Sequence, residues 1–168
     1  MGECINLAGI TFVDIPHIEE GQTAFVIWEK GKPYDDPSEP AYSVRIDGGC
    51  HIGYIPKLTT VKEEQLNARR GLRKVGRGQW EDVGWEVMRP YYHGMVERAV
   101  SCELIRDFIR VDILRNHLIP KGKLHPIYNK TGDICSVVFE YDNNACNPLA
   151  TQGSAAMEAF KASRHDQS

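Results

Sequence analysis

The first 55 residues contain four short segments rich in β-forming side chains, and turn residues separate each segment from the next. The segments cover residues 5–13, 22–29, 41–46 and 51–55. Asp47-Gly48-Gly49 lies between the last two, and glycine tolerates the positive φ angles of a tight hairpin. Pro56 cannot donate to a strand ladder, so it ends the last segment. Strands this short and this closely spaced predict a small, strongly bent antiparallel β-barrel.

A helix and an extended aromatic segment are predicted after the barrel. Thr60 and Glu63 fit a capping box, which predicts a helix over residues 61–70 with Gly71 as its C-terminal cap. Residues 79–99 are rich in aromatic side chains, and part of this segment alternates as a strand does. Pro90 interrupts that alternation, because proline has no backbone N–H to donate.

The second half of the chain predicts an amphipathic helix and a β-hairpin. Ser101 caps a run in which apolar residues recur every three or four positions as far as Leu114. Two strand-like segments, 124–128 and 134–141, flank turn residues. The predicted fold class is α+β, in three parts: a β-barrel over residues 1–60, an α+β extension over 61–142, and a linker with a short C-terminal helix over 143–168.

Composition excludes several classes of protein. The chain has 168 residues, of which 42% are hydrophobic and 26% charged, as in ordinary globular proteins. No apolar run approaches the roughly 20 residues that cross a bilayer, and the acidic N-terminus does not resemble a secretory signal. Five scattered cysteines without a CxxC spacing indicate a reducing, cytoplasmic environment. We predict no membrane partner, no cofactor and no bound metal.

Charge is distributed unevenly along the chain, whose net charge is −3. Residues 57–77 carry seven basic and two acidic side chains, whereas residues 1–56 carry three basic and nine acidic ones. The basic stretch includes Lys57, Arg73 and Lys74, and it is suited to contacts with phosphate groups. A solvated helix face followed by a loop is the alternative interpretation of the same stretch.

Two short motifs in the first third resemble those of the HIRAN domain family. The first is Glu29-Lys30-Gly31-Lys32-Pro33-Tyr34-Asp35, and the second is Ile52-Gly53-Tyr54-Ile55-Pro56-Lys57. A strand and a glycine-containing turn separate them, in the order that the family shows, and residues 9–12 match its opening strand. The resemblance covers about residues 5–60, roughly a third of the chain.

The resemblance implies a partly open β-barrel that binds single-stranded DNA at a free 3′ end. Carried over to this chain, Tyr34 and Asp35 would lie in a pocket for the terminal nucleotide, and Phe12 would offer a stacking surface. Tyr54 and Lys57 would approach a base or a phosphate. The chemistry is suitable, because aromatic rings stack on any base and a carboxylate accepts a hydrogen bond from a terminal hydroxyl.

The chain departs from the family pattern at three places near this pocket. Lys32 replaces the usual asparagine before Pro-Tyr-Asp, and Thr11 stands where a basic residue would aid binding. Residues 37–40 lengthen the segment that follows the motif. These departures affect the shape of the pocket. Because the first third of the chain is acidic, we expect strong DNA binding to need the basic stretch 57–77 as well.

No GxSxG, P-loop, GxGxxG or paired-carboxylate motif occurs, so we predict a module without catalytic residues. Such a module would protect DNA ends, recruit an enzyme to them or inhibit one. Two alternatives remain open at this point. The chain is a protein-interaction or inhibitor protein that uses the barrel only as a scaffold, or it is a small nucleotide-binding or nucleotide-cleaving protein built on residues 91–94 and the histidines.

Overall fold

The computed structural model describes residues 2–10, 14–15 and 17–141. In chain order its elements are β1 (Glu3–Asn6), β2 (Gln22–Trp28), β3 (Tyr42–Ile46), β4 (Cys50–Tyr54), α1 (Leu58–Arg69), β5 (Leu72–Gly76), β6 (Gln79–Asp82), α2 (Trp85–Leu114), β7 (Lys121–Tyr128) and β8 (Ile134–Tyr141). The fold of this described part is mixed α/β, with a curled antiparallel half-barrel sheet and two helices. The strands predicted near β2, β3, β4, β7 and β8 are confirmed.

Six strands form the main sheet, in the order β1-β8-β7-β2-β3-β4, and all neighbours are antiparallel. The two ends of the sheet meet at one point. Ala8, just after β1, and Tyr54, at the end of β4, exchange two backbone hydrogen bonds of 2.8 Å. Within the described residues this bridge is isolated. The sheet is therefore a curled half-barrel, and the small, strongly bent β-barrel of the sequence analysis stays a prediction.

One face of the sheet, the inner face, is buried. Val44 and Phe139 are fully buried on it, as the alternation of apolar side chains along their strands requires. The C-terminal part of α2 contributes Phe108, whose ring stacks on that of Tyr141 with centroids 5.9 Å apart. The Tyr141 hydroxyl donates a hydrogen bond to the buried Asp112 carboxylate, which satisfies both polar groups. The opposite side of the sheet is the outer face.

The chain divides into two compact units. The first comprises Met1–Ile55 and Leu104–Ser168, and the second comprises Pro56–Glu103, so the boundary falls inside α2. The main sheet belongs to the first unit. It includes β7 and β8, the hairpin that the sequence analysis assigned to the extension.

The second unit contains α1, the β5–β6 hairpin and the start of α2. Helix α1 has Arg70 as its C-cap residue. Gly71, the predicted cap, comes directly after it with a φ of +80°, a left-handed conformation that glycine adopts readily at a helix end. Its carbonyl accepts hydrogen bonds from the backbone N–H groups of Val83 and Gly84. The guanidinium of Arg69 lies 4.4 Å from the centroid of the Trp85 ring. These contacts hold the end of α1 against the start of α2.

The predicted start of the first helix was wrong. Helix α1 begins at Leu58, with Lys57 as its N-cap residue and no side-chain hydrogen bond at the cap. Thr60 and Glu63 therefore lie inside the helix, and they do not form a capping box. Thr60 and Glu63 have the residue types and spacing of a capping box, but the helix already begins two residues before Thr60.

The prediction of an extended segment over residues 79–99 was also wrong from residue 85 onward. Residues from Trp85 onward belong to α2, which continues through Pro90 and past Ser101. A proline removes one backbone hydrogen bond from a helix, but the remaining bonds and packing contacts sustain a helix of 30 residues. The β5–β6 hairpin was not predicted, because its strands are mostly exposed and charged and so lack an apolar alternation.

Some predictions fall outside the described residues. Strand β1 ends at Asn6, short of the 5–13 segment, and Thr11 and Phe12 lie outside the described residues. The predicted linker and C-terminal helix of 143–168 lie outside them as well.

Candidate functional site

The loop between β2 and β3 carries the Pro33-Tyr34-Asp35 motif, and Asp35 holds this loop in place. One carboxylate oxygen, Oδ1, accepts hydrogen bonds from the Trp28 indole N–H and from the backbone N–H of Ala41, both at 3.0 Å. Its Oδ2 accepts a longer bond of 3.4 Å from the backbone N–H of Gly31. The carboxylate thus joins both ends of the loop, and it fixes the backbone beside Tyr34.

The two motifs of the sequence analysis meet at their tyrosines. The rings of Tyr34 and Tyr54 make an edge-to-face contact, with centroids 5.2 Å apart and planes at 70°. The ring of His51 contacts Tyr54 on β4 in the same way, at 4.6 Å. Tyr34 keeps 44% of its surface exposed, so the cluster is open to solvent. We call Tyr34, His51 and Tyr54 the tyrosine site.

A β-bulge brings His51 and Tyr54 to the same face of the sheet. Tyr54 pairs with Ser43, whereas His51 pairs with Arg45, and the register shifts between these two pairs. Residues three apart on a regular strand point to opposite faces, but the extra residue of a bulge restores the alignment. The bulge therefore builds the ring contact between His51 and Tyr54.

Arg45 and Ser43 on β3 are the register partners of His51 and Tyr54, and both contact Glu29, just after β2. The Arg45 Nη2 and the Glu29 carboxylate form an ion pair at 2.5 Å. Arg45 also donates to the carbonyl of Gly49 at 2.8 Å, and the Ser43 hydroxyl donates to Glu29 at 2.8 Å. The Glu29 side chain is largely buried, so its carboxylate loses contact with water. The ion pair with Arg45 and the hydrogen bond from Ser43 compensate for this loss.

The environment shifts the pKa values of three groups here. Burial, together with a hydrogen bond to Tyr34, raises the pKa of Tyr54. Burial also lowers the pKa of His51, and the nearby positive charge of Arg45 lowers it further. Burial opposes ionisation of Glu29, but hydrogen bonds from Arg45 and Ser43 outweigh it and lower the pKa of this carboxyl. Tyr54 and His51 are therefore neutral near neutral pH, while Glu29 is charged.

The other predicted site residues belong to the second unit or lie outside the description. Lys57 is the N-cap residue of α1. On β5, Arg73 pairs with Glu81 at 2.9 Å, and Lys74 pairs with Glu64 at 3.1 Å. Acidic partners thus offset part of the positive charge of the basic stretch. Phe12 lies outside the described residues, so its predicted stacking role stays a prediction.

Sequence reasoning missed the roles of Arg45 and His51 in this site. The contact between His51 and Tyr54 depends on a β-bulge, which the sequence pattern of β4 does not reveal. Among the described residues no group of three or more histidine, cysteine, aspartate or glutamate side chains is arranged to hold a metal ion. No helix in the same part of the chain is long and apolar enough to cross a membrane.

No family model, no curated protein and no solved structure matches the chain. The HIRAN resemblance therefore stays a prediction that depends on the two motifs.

Proposed function

We propose that the first unit binds the end of single-stranded DNA at the tyrosine site. The contact between Tyr34 and Tyr54 supports this proposal most directly. The two residues are 20 positions apart in the sequence, each lies in one of the two motifs, and their rings touch. An exposed aromatic ring stacks on a nucleic-acid base for about 1 to 3 kcal/mol, whatever the base.

In this proposal Asp35 acts on the loop. Its contacts with Trp28 and Ala41 hold the backbone next to Tyr34 and so orient the exposed ring. A carboxylate next to a phosphodiester strand is repelled by it, unless the strand ends there with a hydroxyl group. The direct reading of a 3′ hydroxyl by Asp35, as the family resemblance implies, is a separate prediction with its own test.

The binding test is fluorescence anisotropy with labelled oligonucleotides. We expect the chain to bind a single strand with a free 3′ hydroxyl, and to bind duplex and 3′-phosphorylated strands more weakly. Tyr34→Ala should weaken binding about 5-fold to 100-fold, since it removes one stacking partner. Tyr91→Ala is the matched control, because Tyr91 is also exposed, at 62%, but lies on α2 in the second unit. If both variants bind as the wild type does, the tyrosine site does not hold DNA.

Two substitutions of Asp35 separate its possible roles. Asparagine keeps an oxygen that accepts from Trp28 and Ala41, whereas alanine removes it. If Asp35 only orients the loop, Asp35→Asn should bind nearly as the wild type does, and Asp35→Ala should bind more weakly. If Asp35 reads the strand end, Asp35→Asn should instead lose the preference for a 3′ hydroxyl over a 3′ phosphate.

A further inference from the structure

A row of side chains crosses the outer face of the sheet, at right angles to its strands. The strand register pairs His51 of β4 with Arg45 of β3, Arg45 with Phe25 of β2, and Phe25 with Lys121 of β7. Directly paired residues of antiparallel strands point to the same face of the sheet. We call Lys121, Phe25, Arg45 and His51 the cross-strand row.

The cross-strand row is continuous with the tyrosine site, because the His51 ring contacts Tyr54 at 4.6 Å. Four neighbouring strands are separated by three gaps of about 4.8 Å each, so the row extends about 14 Å. A stacked strand advances about 3.4 Å per nucleotide, which gives room for about four nucleotides, or fewer if the strand is stretched.

The chemistry of the row suits an unpaired strand. Phe25 is half-buried, and the exposed part of an aromatic ring can stack on a base. Lys121 and Lys123 lie on the same face two residues apart, and neither makes an ion pair with a described residue. Glu29 already balances the charge of Arg45, so the two lysines supply the attraction for phosphates.

We infer that the cross-strand row holds the nucleotides next to the strand end, with a base against Phe25 and a phosphate at Lys121. The inference rests on the proposed function. The terminal nucleotide occupies the tyrosine site, and the inference assigns the path of the nucleotides that precede it in the strand. It predicts that affinity grows with oligonucleotide length until the row is filled. A dinucleotide reaches only the tyrosine site, whereas an octanucleotide covers the row as well.

The test compares a thymidine dinucleotide with a thymidine octanucleotide, both with a free 3′ hydroxyl, by anisotropy competition on the full chain. Lys121→Gln should weaken binding of the octanucleotide and leave that of the dinucleotide unchanged. It should also reduce the slope of log affinity against log salt by about 0.7, the value for one phosphate contact on a single strand. Lys130→Gln, in the exposed β7–β8 turn, is the control and should change neither ligand.

A second variant tests the aromatic part of the row. Phe25→Leu keeps an apolar side chain and should weaken octanucleotide binding about 5-fold or more. Circular dichroism and urea unfolding would show whether this variant folds. If it does not fold, the Lys121→Gln result alone tests whether the cross-strand row binds the strand.

The outcomes separate the two proposals. If the wild type binds neither oligonucleotide, or if Tyr34→Ala has no effect, the proposed function fails and the assignment of the row fails with it. If Tyr34→Ala weakens both ligands while Lys121→Gln weakens neither or both equally, only the path along the row is wrong.

Discussion

His125 on β7 lies between two carboxylates, and this arrangement makes the stability of the first unit depend on pH. Its Nε2 lies 2.8 Å from the Glu140 carboxylate, and its Nδ1 contacts the Glu20 carboxylate. Both ring nitrogens donate only when the imidazole is protonated. Hydrogen bonds to Glu20 and then to Glu140 raise the pKa of His125, although burial opposes them. Lys123 lies directly opposite Glu140 in the strand register, but it makes no ion pair with a described residue.

The sign of the pH dependence follows from this raised pKa. In the unfolded chain a histidine titrates near pH 6.5, and in the folded chain His125 keeps its proton to a higher pH. The stabilisation is therefore complete below about pH 6.5, and it is lost as the pH rises through the folded value.

Exposure limits the magnitude of the effect. The side chains of His125 and Glu140 are 31% and 29% exposed, and that of Glu20 is 70% exposed. Solvent screens such pairs, so the cluster contributes about 1 kcal/mol, less than the 1.5 to 3 kcal/mol of a buried charged hydrogen bond. For a chain of this length, about 1 kcal/mol corresponds to a change of about 2 to 4 °C in Tm.

Urea unfolding of His125→Gln at two pH values measures this contribution. We expect the variant to be about 1 kcal/mol less stable than the wild type near pH 5.5, and nearly equal to it near pH 9. His17→Gln, at an exposed histidine of the same unit, should show no such change. A stability difference that is the same at both pH values, or larger at the higher one, would mean that His125 acts by packing and not by charge.

Two further predictions concern the second unit. Gly71→Ala should lower the free energy of unfolding by about 2 to 4 kcal/mol, because its φ is +80° and a Cβ atom would lie 2.7 Å from the backbone at the start of α2. Gly78→Ala, with φ of +68° and open space around it, should cost only about 1 to 2 kcal/mol, and equal losses would refute the steric reasoning. Glu64→Gln should cost about 1 kcal/mol, since Glu64 pairs with Arg98 at 2.9 Å and the buried Arg98 Nε has no hydrogen-bond partner among the described residues. The exposed Glu63→Gln is its control, and thermal unfolding that shows equal losses for the two variants would contradict the role of the ion pair.

Turn chemistry and alternation predicted most of the main sheet. Gly48 and Gly49 adopt positive φ between β3 and β4, as the hairpin prediction requires. Strands β7 and β8 flank a turn in which the Asn129 side chain accepts from the backbone of Thr131 and Asp133. These signals are local, and the packing of an apolar face then fixes the register.

Features that depend on tertiary contacts could not be predicted in the same way. The alternation after Trp85 indicated a strand, yet the segment is helical through Pro90, because packing along α2 outweighs local preference. The contact between Tyr34 and Tyr54 depends on how the β2–β3 loop folds over the sheet. The family resemblance implied a binding pocket for Asp35, but the sequence could not show the hydrogen bonds between Asp35 and its own loop.

The tyrosine site has little net charge, and this favours stacking on a base over contact with a phosphate in the proposed complex. The raised pKa of Tyr54 and the lowered pKa of His51 leave both groups neutral at pH 7, and Glu29 balances Arg45. A neutral cluster of rings gains from stacking, which salt does not screen, whereas each phosphate contact adds about 0.7 to the salt slope. A dinucleotide should therefore bind with almost no salt dependence, and an octanucleotide with a slope set by the lysines of β7. A steep slope for the dinucleotide would show that phosphate contacts, and not the rings, hold the strand end.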